Sequence, residues 1–303
     1  RDRLRSRGLG DVYKRQGEDI LVMRSTCIKD ECREIAKYGA TATIGSLQAG
    51  QAMSEVATEM GVTVKCHLKI DTGMGRYGFM PSEIEDAIKC YSLPNLEFTG
   101  AYTHFSSAFR NHDLTKAQLE MFKDTMAKIK EKVGNVGILH ASNSPALLNV
   151  EDVCLDTVRI GSAFTGRVIT KNKSGLHRLG SLEAEVVDVK TVPKGYFVGY
   201  NATYQTKRET KIAIVPIGHY DGFGLTKEKE IITFRYVLSV FKSFLKKKQM
   251  YVKINGRMYH VIGEIGLSHT AVDITGSDVK PSDLASVDIS PLMVNPRIER
   301  IYR

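Results

Sequence analysis

Residues 62–79 read VTVKCHLKIDTGMGRYGF, and every other assignment in the chain works outward from them. Val62 to Ile70 reads as a strand, and it empties into a loop with glycines at 73, 75 and 78. A buried-type strand that ends in polar residues and glycine reads as one strand of a β/α unit. Upstream, Ile20 to Met23 and Ala42 to Ile44 have the same buried-strand character. Ser46 stands as the N-cap of a helix carrying Ala52, Met53, Val56, Ala57 and Met60, with Gly61 as its stop. Downstream, Leu96 to Phe105, Gly137 to Ser142 and Thr157 to Gly161 read as strands. After Asp113, Leu119, Phe122, Met126, Ile129 and Val133 form one apolar stripe at helical spacing. Strands alternating with helices in this way indicate a parallel sheet with helices outside, either a barrel or a doubly wound sheet.

Beyond about residue 180 the pattern changes. Leu182 to Val192, Ile212 to Ile217, Met250 to Ile254, Met258 to Ile262, Val272 to Ile274 and Ala285 to Ile289 read as strands of a mainly antiparallel β domain. Asn255–Gly256 between two of them is a type I′ hairpin signal. A helix is expected from Phe234 to Leu245, with Val237, Leu238, Phe241 and Leu245 on one face.

Composition narrows the function classes. The net charge of +9 is concentrated: residues 1–16 (RDRLRSRGLGDVYKRQ) carry six basic and two acidic side chains. That leader and the run Lys246–Lys247–Lys248 lack the interleaved aromatics of a nucleic-acid module. The leader has no apolar face and reads as non-native, like translated adapter DNA. No apolar run approaches the ~20 residues that cross a bilayer. The five cysteines (27, 32, 66, 90 and 154) are scattered, with no CxxC pair or zinc-finger histidine. No disulfide framework and no metal are therefore expected, and a reducing, cytoplasmic setting fits.

In a β/α barrel the working residues gather at the C-terminal strand ends. Asp71 to Arg76, His104, Ser142–Asn143–Ser144 and Arg159–Ile160–Gly161–Ser162 all fall at such ends. Together they supply an imidazole, two guanidiniums, and hydroxyls with glycine amides suited to a phosphate.

These strings carry a family resemblance. HLKIDTGMGRYGF (67–79), THFSSA (103–108), HASNSPALL (140–148), DTVRIGSAFTGR (156–167) and the long stretch 190–223 resemble successive segments of the alanine racemases, and RIERIY (297–302) resembles their end. The resemblance covers about residues 19–303 and implies an α/β fold: a partial (β/α)8 TIM-type barrel over 17–178, followed by a mainly antiparallel β domain over 179–303. It implies pyridoxal 5'-phosphate (PLP) as cofactor and a head-to-tail homodimer in which the β domain of one subunit completes the other's site. The implied reaction is interconversion of L- and D-alanine for peptidoglycan. Racemisation of another amino acid such as serine, and non-catalytic PLP binding, stay open as alternatives.

Carried over by position, His104 packs on the pyridine ring and Arg159 faces its nitrogen. Ser144, Gly161 and Ser162 hold the phosphate, and Asn143 supports the cofactor. Arg76 contacts the phenolic oxygen and the substrate carboxylate, with Lys69 matching a lysine carbamylated in some members.

Three departures stand out. No KANAYGHG-like segment with the Schiff-base lysine occurs, and Lys14 lacks its neighbours. Six strands of eight are countable, so an N-terminally incomplete copy, short by about two β/α units or roughly 60–80 residues, is expected. Such an open barrel leaves strand edges exposed and is expected to fold poorly. The family's GYADG reads Gly218-His219-Tyr220-Asp221-Gly222. His219 thus takes the place of the second base, an imidazole being a readier base near neutrality than a phenol, and Tyr220 lies one step on. The family's CMDQ reads Gly266-Leu267-Ser268-His269, which puts Leu267 beside the substrate, and Asp288 stands where a phosphate-binding tyrosine is usual.

Overall fold

A computed structural model describes residues 19–170, 175–225 and 249–301. The expected helix from Phe234 to Leu245, the basic leader and the lysine run at 246–248 lie outside them. The chain divides into two compact units, 1–176 and 177–303.

In the first unit six strands pair in parallel: β1 (Leu21–Ser25), β2 (Thr41–Ile44), β3 (Val64–Lys69), β4 (Leu96–Tyr102), β5 (Ile138–Asn143) and β6 (Thr157–Arg159). Their order in the sheet is their order in the chain, β1 to β6, with no reversal. A doubly wound sheet reverses direction at a switch point, whereas sequential winding is that of a partial β/α barrel. The helices are α1 (Lys29–Lys37), α2 (Leu47–Met60), α3 (Ile84–Tyr91), α4 (His112–Val133) and α5 (Ser144–Asn149).

Local chemistry sets these bounds. Ser46 Oγ accepts the Ala49 amide at the start of α2, and Gly61 closes it in the left-handed conformation, φ 64°. The long helix α4 begins before Asp113, because Asn111 Oδ1 accepts the Leu114 amide and caps it. Its expected stripe is buried: Phe122, Met126 and Ile129 share a core with Ile44, Leu68, Ile70 and Phe79 of the strand layer and the loop after β3, and Leu119 one with Phe105, Ala141 and Ala146. Each such side chain contributes on the order of 1.5–3 kcal/mol over its exposed state. The strands stop short of the apolar runs: β4 ends at Tyr102 rather than Phe105, and β6 at Arg159 rather than Gly161, where backbone pairing gives way to side-chain contacts. Helices α1 and α3 had no counterpart in the reading of the sequence.

The second unit is a seven-stranded antiparallel sheet: β7 (Leu182–Glu185), β8 (Asp188–Val192), β11 (Thr210–Val215), β12 (Tyr251–Ile254), β13 (Arg257–Val261), β14 (Thr270–Asp273) and β15 (Leu284–Val287). A two-stranded ribbon of β9 (Phe197–Val198) and β10 (Tyr204–Gln205) accompanies it. Leu182 to Val192, expected as one strand, is two. The Val186 amide donates to Asp283 O and the next amide, Val187, to Ile214 O, so the chain leaves β15 and joins β11 within one residue. Since β7 and β8 occupy opposite ends of the sheet order, this bend draws the sheet round on itself. The β12–β13 hairpin turns at Asn255 and Gly256 with φ 48° and 84°, the left-handed pair of a type I′ turn. Among the described residues no helix is long and apolar enough to cross a membrane.

Candidate active site

The loop after β3 is shaped by Asp71. Its Oδ1 accepts the amides of Gly73 (2.9 Å) and Met74 (2.7 Å), and its Oδ2 that of Arg76 (3.0 Å). Burial raises the carboxyl's pKa, but the backbone N–H groups of residues 73–76 outweigh it and hold the group below the usual carboxylate range. The loop closes where Phe79 N donates to Lys69 O and Asp71 N to Phe79 O. Gly78, at φ 119°, makes that closure possible, since a Cβ there would lie 2.7 Å from the Asp71 amide. Arg76 projects from this loop, its guanidinium 5.8 Å from the Tyr77 ring centre.

Arg159, at the end of β6, is the hub of the first unit's site. Its Nη2 donates to the carbonyls of Thr103 (2.6 Å) and Ala141 (2.9 Å), and more distantly to His104 Nδ1 (3.4 Å). Its Nη1 donates to His140 Nδ1 at 2.6 Å. Its Nε is buried and has no hydrogen-bond partner among the described residues. Burial lowers the guanidinium to about 10, a value at which it is still a cation at neutral pH. Burial, then the charges of Arg159, Lys69 and Arg76, push His104 down to about 4 and keep its ring neutral. Lys69 is 1% exposed, its Nζ also without a hydrogen-bond partner among the described residues.

Beside this hub lies an amide-rich turn. Ser144 Oγ accepts the amides of Gly161 (2.9 Å) and Ala163 (3.2 Å), which tethers the turn after β6 to the start of α5. Ser162 lies between those two amides, and its carbonyl accepts the Arg167 amide at 2.9 Å. The space where a Gly161 Cβ would stand is open. Asn143 caps α5 through Oδ1 and donates from Nδ2 to Phe105 O at 3.4 Å, a positioning contact. His104, Asn143, Ser144, Arg159, Gly161 and Ser162 therefore come from the ends of β4, β5 and β6. A buried donor without an acceptor, a neutral imidazole and an anion-suited turn on neighbouring strand ends match a flat heteroaromatic ring that carries an anionic group.

His219 and Tyr220 belong to the second unit, in a 3-10 turn, His219–Asp221, beyond the end of β11. Strand alternation therefore does not separate these two side chains; the roughly 120° rotation per residue of a 3-10 turn does. The turn is pinned by Gly218 N to Asp221 Oδ2 (2.9 Å), and to the Gly266–Leu267 segment by His219 N to Gly266 O (3.0 Å) and Tyr220 N to Leu267 O (2.8 Å). The two segments that depart from the family pattern are thus hydrogen-bonded to each other. His219 Nδ1 lies 2.9 Å from Phe223 O. A carbonyl only accepts, so Nδ1 carries the proton and Nε2 keeps the lone pair. Tyr220 and Leu267 are exposed, at 57% and 67%. Asp288 is ion-paired with Arg178 at 2.7 Å. Among the described residues no group of three His, Cys, Asp or Glu could hold a metal.

Reading the sequence missed four contributors. Gln118 of α4 ties two loops together, donating to Thr72 O (3.0 Å) and accepting from Ser106 N (3.2 Å). Tyr102, fully buried, lies under both cations, with its ring centre 4.9 Å from Lys69 Nζ and 5.0 Å from the Arg159 guanidinium carbon. The others are His67 and His140. A polar residue inside an apolar stripe was the available signal for Gln118.

Residues 4–169 match the family described as alanine racemase, N-terminal domain, and residues 179–290 the alanine racemase, C-terminal domain. The chain belongs to the alanine racemase family. An alanine racemase of Clostridium novyi (strain NT) is 31% identical over 253 residues, 81% of this chain and 60% of that protein. One of Methanococcus maripaludis is 31% identical over 268 residues, 86% of this chain and 66% of that protein. Among solved structures, an alanine racemase of Clostridium difficile 630 superposes with TM-score 0.76 at 27% identity, covering 92% of this chain and 70% of that one. The alanine racemase of Streptomyces lavendulae gives 0.74 at 25%, covering 91% and 69%. The chain spans about 60% of the length of curated alanine racemases such as the C. novyi protein.

Proposed function

We propose that this chain carries the PLP-binding strand ends and the second-base turn of an enzyme that interconverts L- and D-alanine. The observation that carries the reading is the buried Nε of Arg159, without a hydrogen-bond partner among the described residues, beside the neutral ring of His104. A pyridine nitrogen is an acceptor of the right kind for that donor, and His104 offers a neutral ring to lie against. The Ser144 hydroxyl and the Gly161–Ala163 turn suit the phosphate, with Asn143 and Ser162 holding that turn in place. Arg76 suits the phenolic oxygen and the substrate carboxylate.

When bound, PLP supplies an electron sink that acidifies the substrate Cα–H. Arg159 would donate to the ring nitrogen and keep its own proton, since the guanidinium is still a cation at neutral pH. His219 presents one lone pair, at Nε2, to accept or return a proton, and its Nδ1–H bond to Phe223 O prevents the ring from offering the other nitrogen. Leu267, whose carbonyl accepts the Tyr220 amide, is exposed and suited to a small apolar substrate side chain. The exposure of Tyr220 and Leu267 supports a head-to-tail homodimer in which these residues serve the partner's site; membership of the alanine racemase family supports a cytoplasmic enzyme contributing to peptidoglycan synthesis.

The test is to load the purified chain with PLP, follow cofactor absorption, and measure α-hydrogen exchange of L-alanine and L-serine in deuterated water. Retention of PLP that is lost in Arg159→Leu is expected, and any exchange of alanine should fall in His219→Gln. Faster exchange of serine would redirect the substrate, and PLP retention without any exchange would make the chain a binding protein.

A further inference from the structure

Behind Arg159 lies a second pair of rings. His140 Nε2 is 2.8 Å from His67 Nδ1, and both imidazoles are buried, at 2% and 8% exposure. The direction of this chain follows from valence. Arg159 Nη1 can only donate, so His140 Nδ1 accepts, and the single ring proton of a neutral His140 resides on Nε2. That proton points to His67 Nδ1, which must accept in turn, so His67 carries its own proton on Nε2. Burial, then the Arg159 charge, lowers His140 to about 3 and also lowers His67, so both rings are neutral at pH 7.

The strands are adapted to seat this pair. The β3–β4 register slips between Cys66, opposite Phe98, and His67, opposite Gly100. A Cβ on Gly100 would lie 2.8 Å from both Cε1 and Nε2 of His67, so only glycine leaves room for the ring. The β5–β6 register also shifts, between His140 and Asn143. Such irregularities re-aim side chains beside functional sites. Tyr102 stacks on His140 at 4.9 Å and 12°, which fixes the plane of that ring.

We infer that His67 is a positioning residue: by accepting from His140 it holds that ring in the tautomer that receives Arg159, and so keeps the guanidinium set for its ligand. Without an acceptor at position 67, His140 is free to place its proton on Nδ1, where it would confront the Arg159 N–H. The identity of the ligand rests on the PLP reading above; the tautomer chain does not.

The experiment compares the full chain with His67→Leu and His67→Asn, whose Oδ1 replaces the Nδ1 acceptor. Imidazole nitrogen-15 shifts report the His140 tautomer without any cofactor. The parent and His67→Asn are expected to show protonated Nε2 and bare Nδ1, and His67→Leu a mixture or exchange. PLP affinity is expected to fall about tenfold in His67→Leu, as for outer partners that orient a binding group, and to be rescued in His67→Asn. In a His140→Asn background, whose Oδ1 serves Arg159 directly, His67→Leu is expected to have no further effect. Identical His140 spectra in all three proteins would overturn the inference, as would a leucine variant that binds PLP as the parent does. If His67→Leu does not fold, failure of His67→Asn to keep the bare Nδ1 decides against it equally. A parent that shows the tautomer chain but never binds PLP would sink the functional reading and leave the relay standing.

Discussion

Lys69 lies with its ammonium 4.9 Å from the centre of the Tyr102 ring, and Asp71 attracts the same charge. Burial lowers the amine from 10.5 to about 8, only partly opposed by Asp71. An amine lowered in the folded chain costs stability while it is charged. Between about pH 8 and 10.5 the unfolded chain binds the extra proton, so this group's contribution rises with pH across that window. Lys69→Met is expected to raise the free energy of urea unfolding at pH 7 by roughly 2–3 kcal/mol, an advantage that shrinks towards pH 10. A loss of stability instead would mean that the amine carries an anionic partner or modification in solution.

Two imidazoles predict the opposite end of the pH range. His104 and His140, lowered to about 4 and about 3, refuse protons that the unfolded chain accepts below about 6.5. Stability is therefore expected to fall as the pH drops from about 6.5 towards 4, by up to about 1.4 kcal/mol per unit for each ring. Unfolding midpoints at half-unit steps check this, and His140→Asn should remove one ring's share of the slope. A flat profile would show that the rings are hydrated in solution.

Ser144→Ala deprives two amides, Gly161 and Ala163, of their acceptor. The cost to folding is expected to be about 1–3 kcal/mol, and affinity for PLP should drop about tenfold. Equilibrium dialysis with PLP and with pyridoxal lacking the phosphate separates the causes, since only the phosphorylated form should feel the change.

Gly218 is squeezed for steric rather than torsional reasons. A Cβ there would lie 2.4 Å from Gly266 O and 2.5 Å from Leu267 O. Gly218→Ala should pry the two segments apart, slow no step of folding in the first unit, and destabilise the second by roughly 1–3 kcal/mol. Amide exchange at His219 and Tyr220, whose N–H groups donate to those same two carbonyls, is the direct measurement.

What could be read from the sequence follows the range of the interactions. Strand ends such as Asp71 and Arg159 were legible because a period and a polar break are local signals. The α4 stripe was legible because its partners repeat at three and four residues. Leu182 to Val192 looked like one strand because apolar residues recur along its whole length; the alternation slips phase at Val186–Val187, and the partners, Asp283 and Ile214, show that the slip divides two strands. Likewise GHYDG is placed only by its likeness to the family's GYADG, while the tight turn depends on Asp221 accepting the Gly218 amide. The pairing of His67 with His140 spans 73 residues, and a buried histidine on a strand gives no local hint of what its ring meets. The Nε of Arg159, without a partner among the described residues, is further still from view, being defined by what surrounds it.

The bend at Val186 and Val187 has a kinetic meaning. It obliges β7 to pair with β15, Leu182 opposite Val287, so the first strand of the second unit must wait for the last. Contacts of that sequence separation carry a large loop-closure entropy and form late. On the ribosome, Leu182 to Glu185 emerges long before Leu284 to Val287 and stays an open edge until synthesis is nearly finished. Growing chains that stall before Leu284 should therefore be the aggregation-prone species, and a chaperone that shields that edge would act on this unit late in its synthesis.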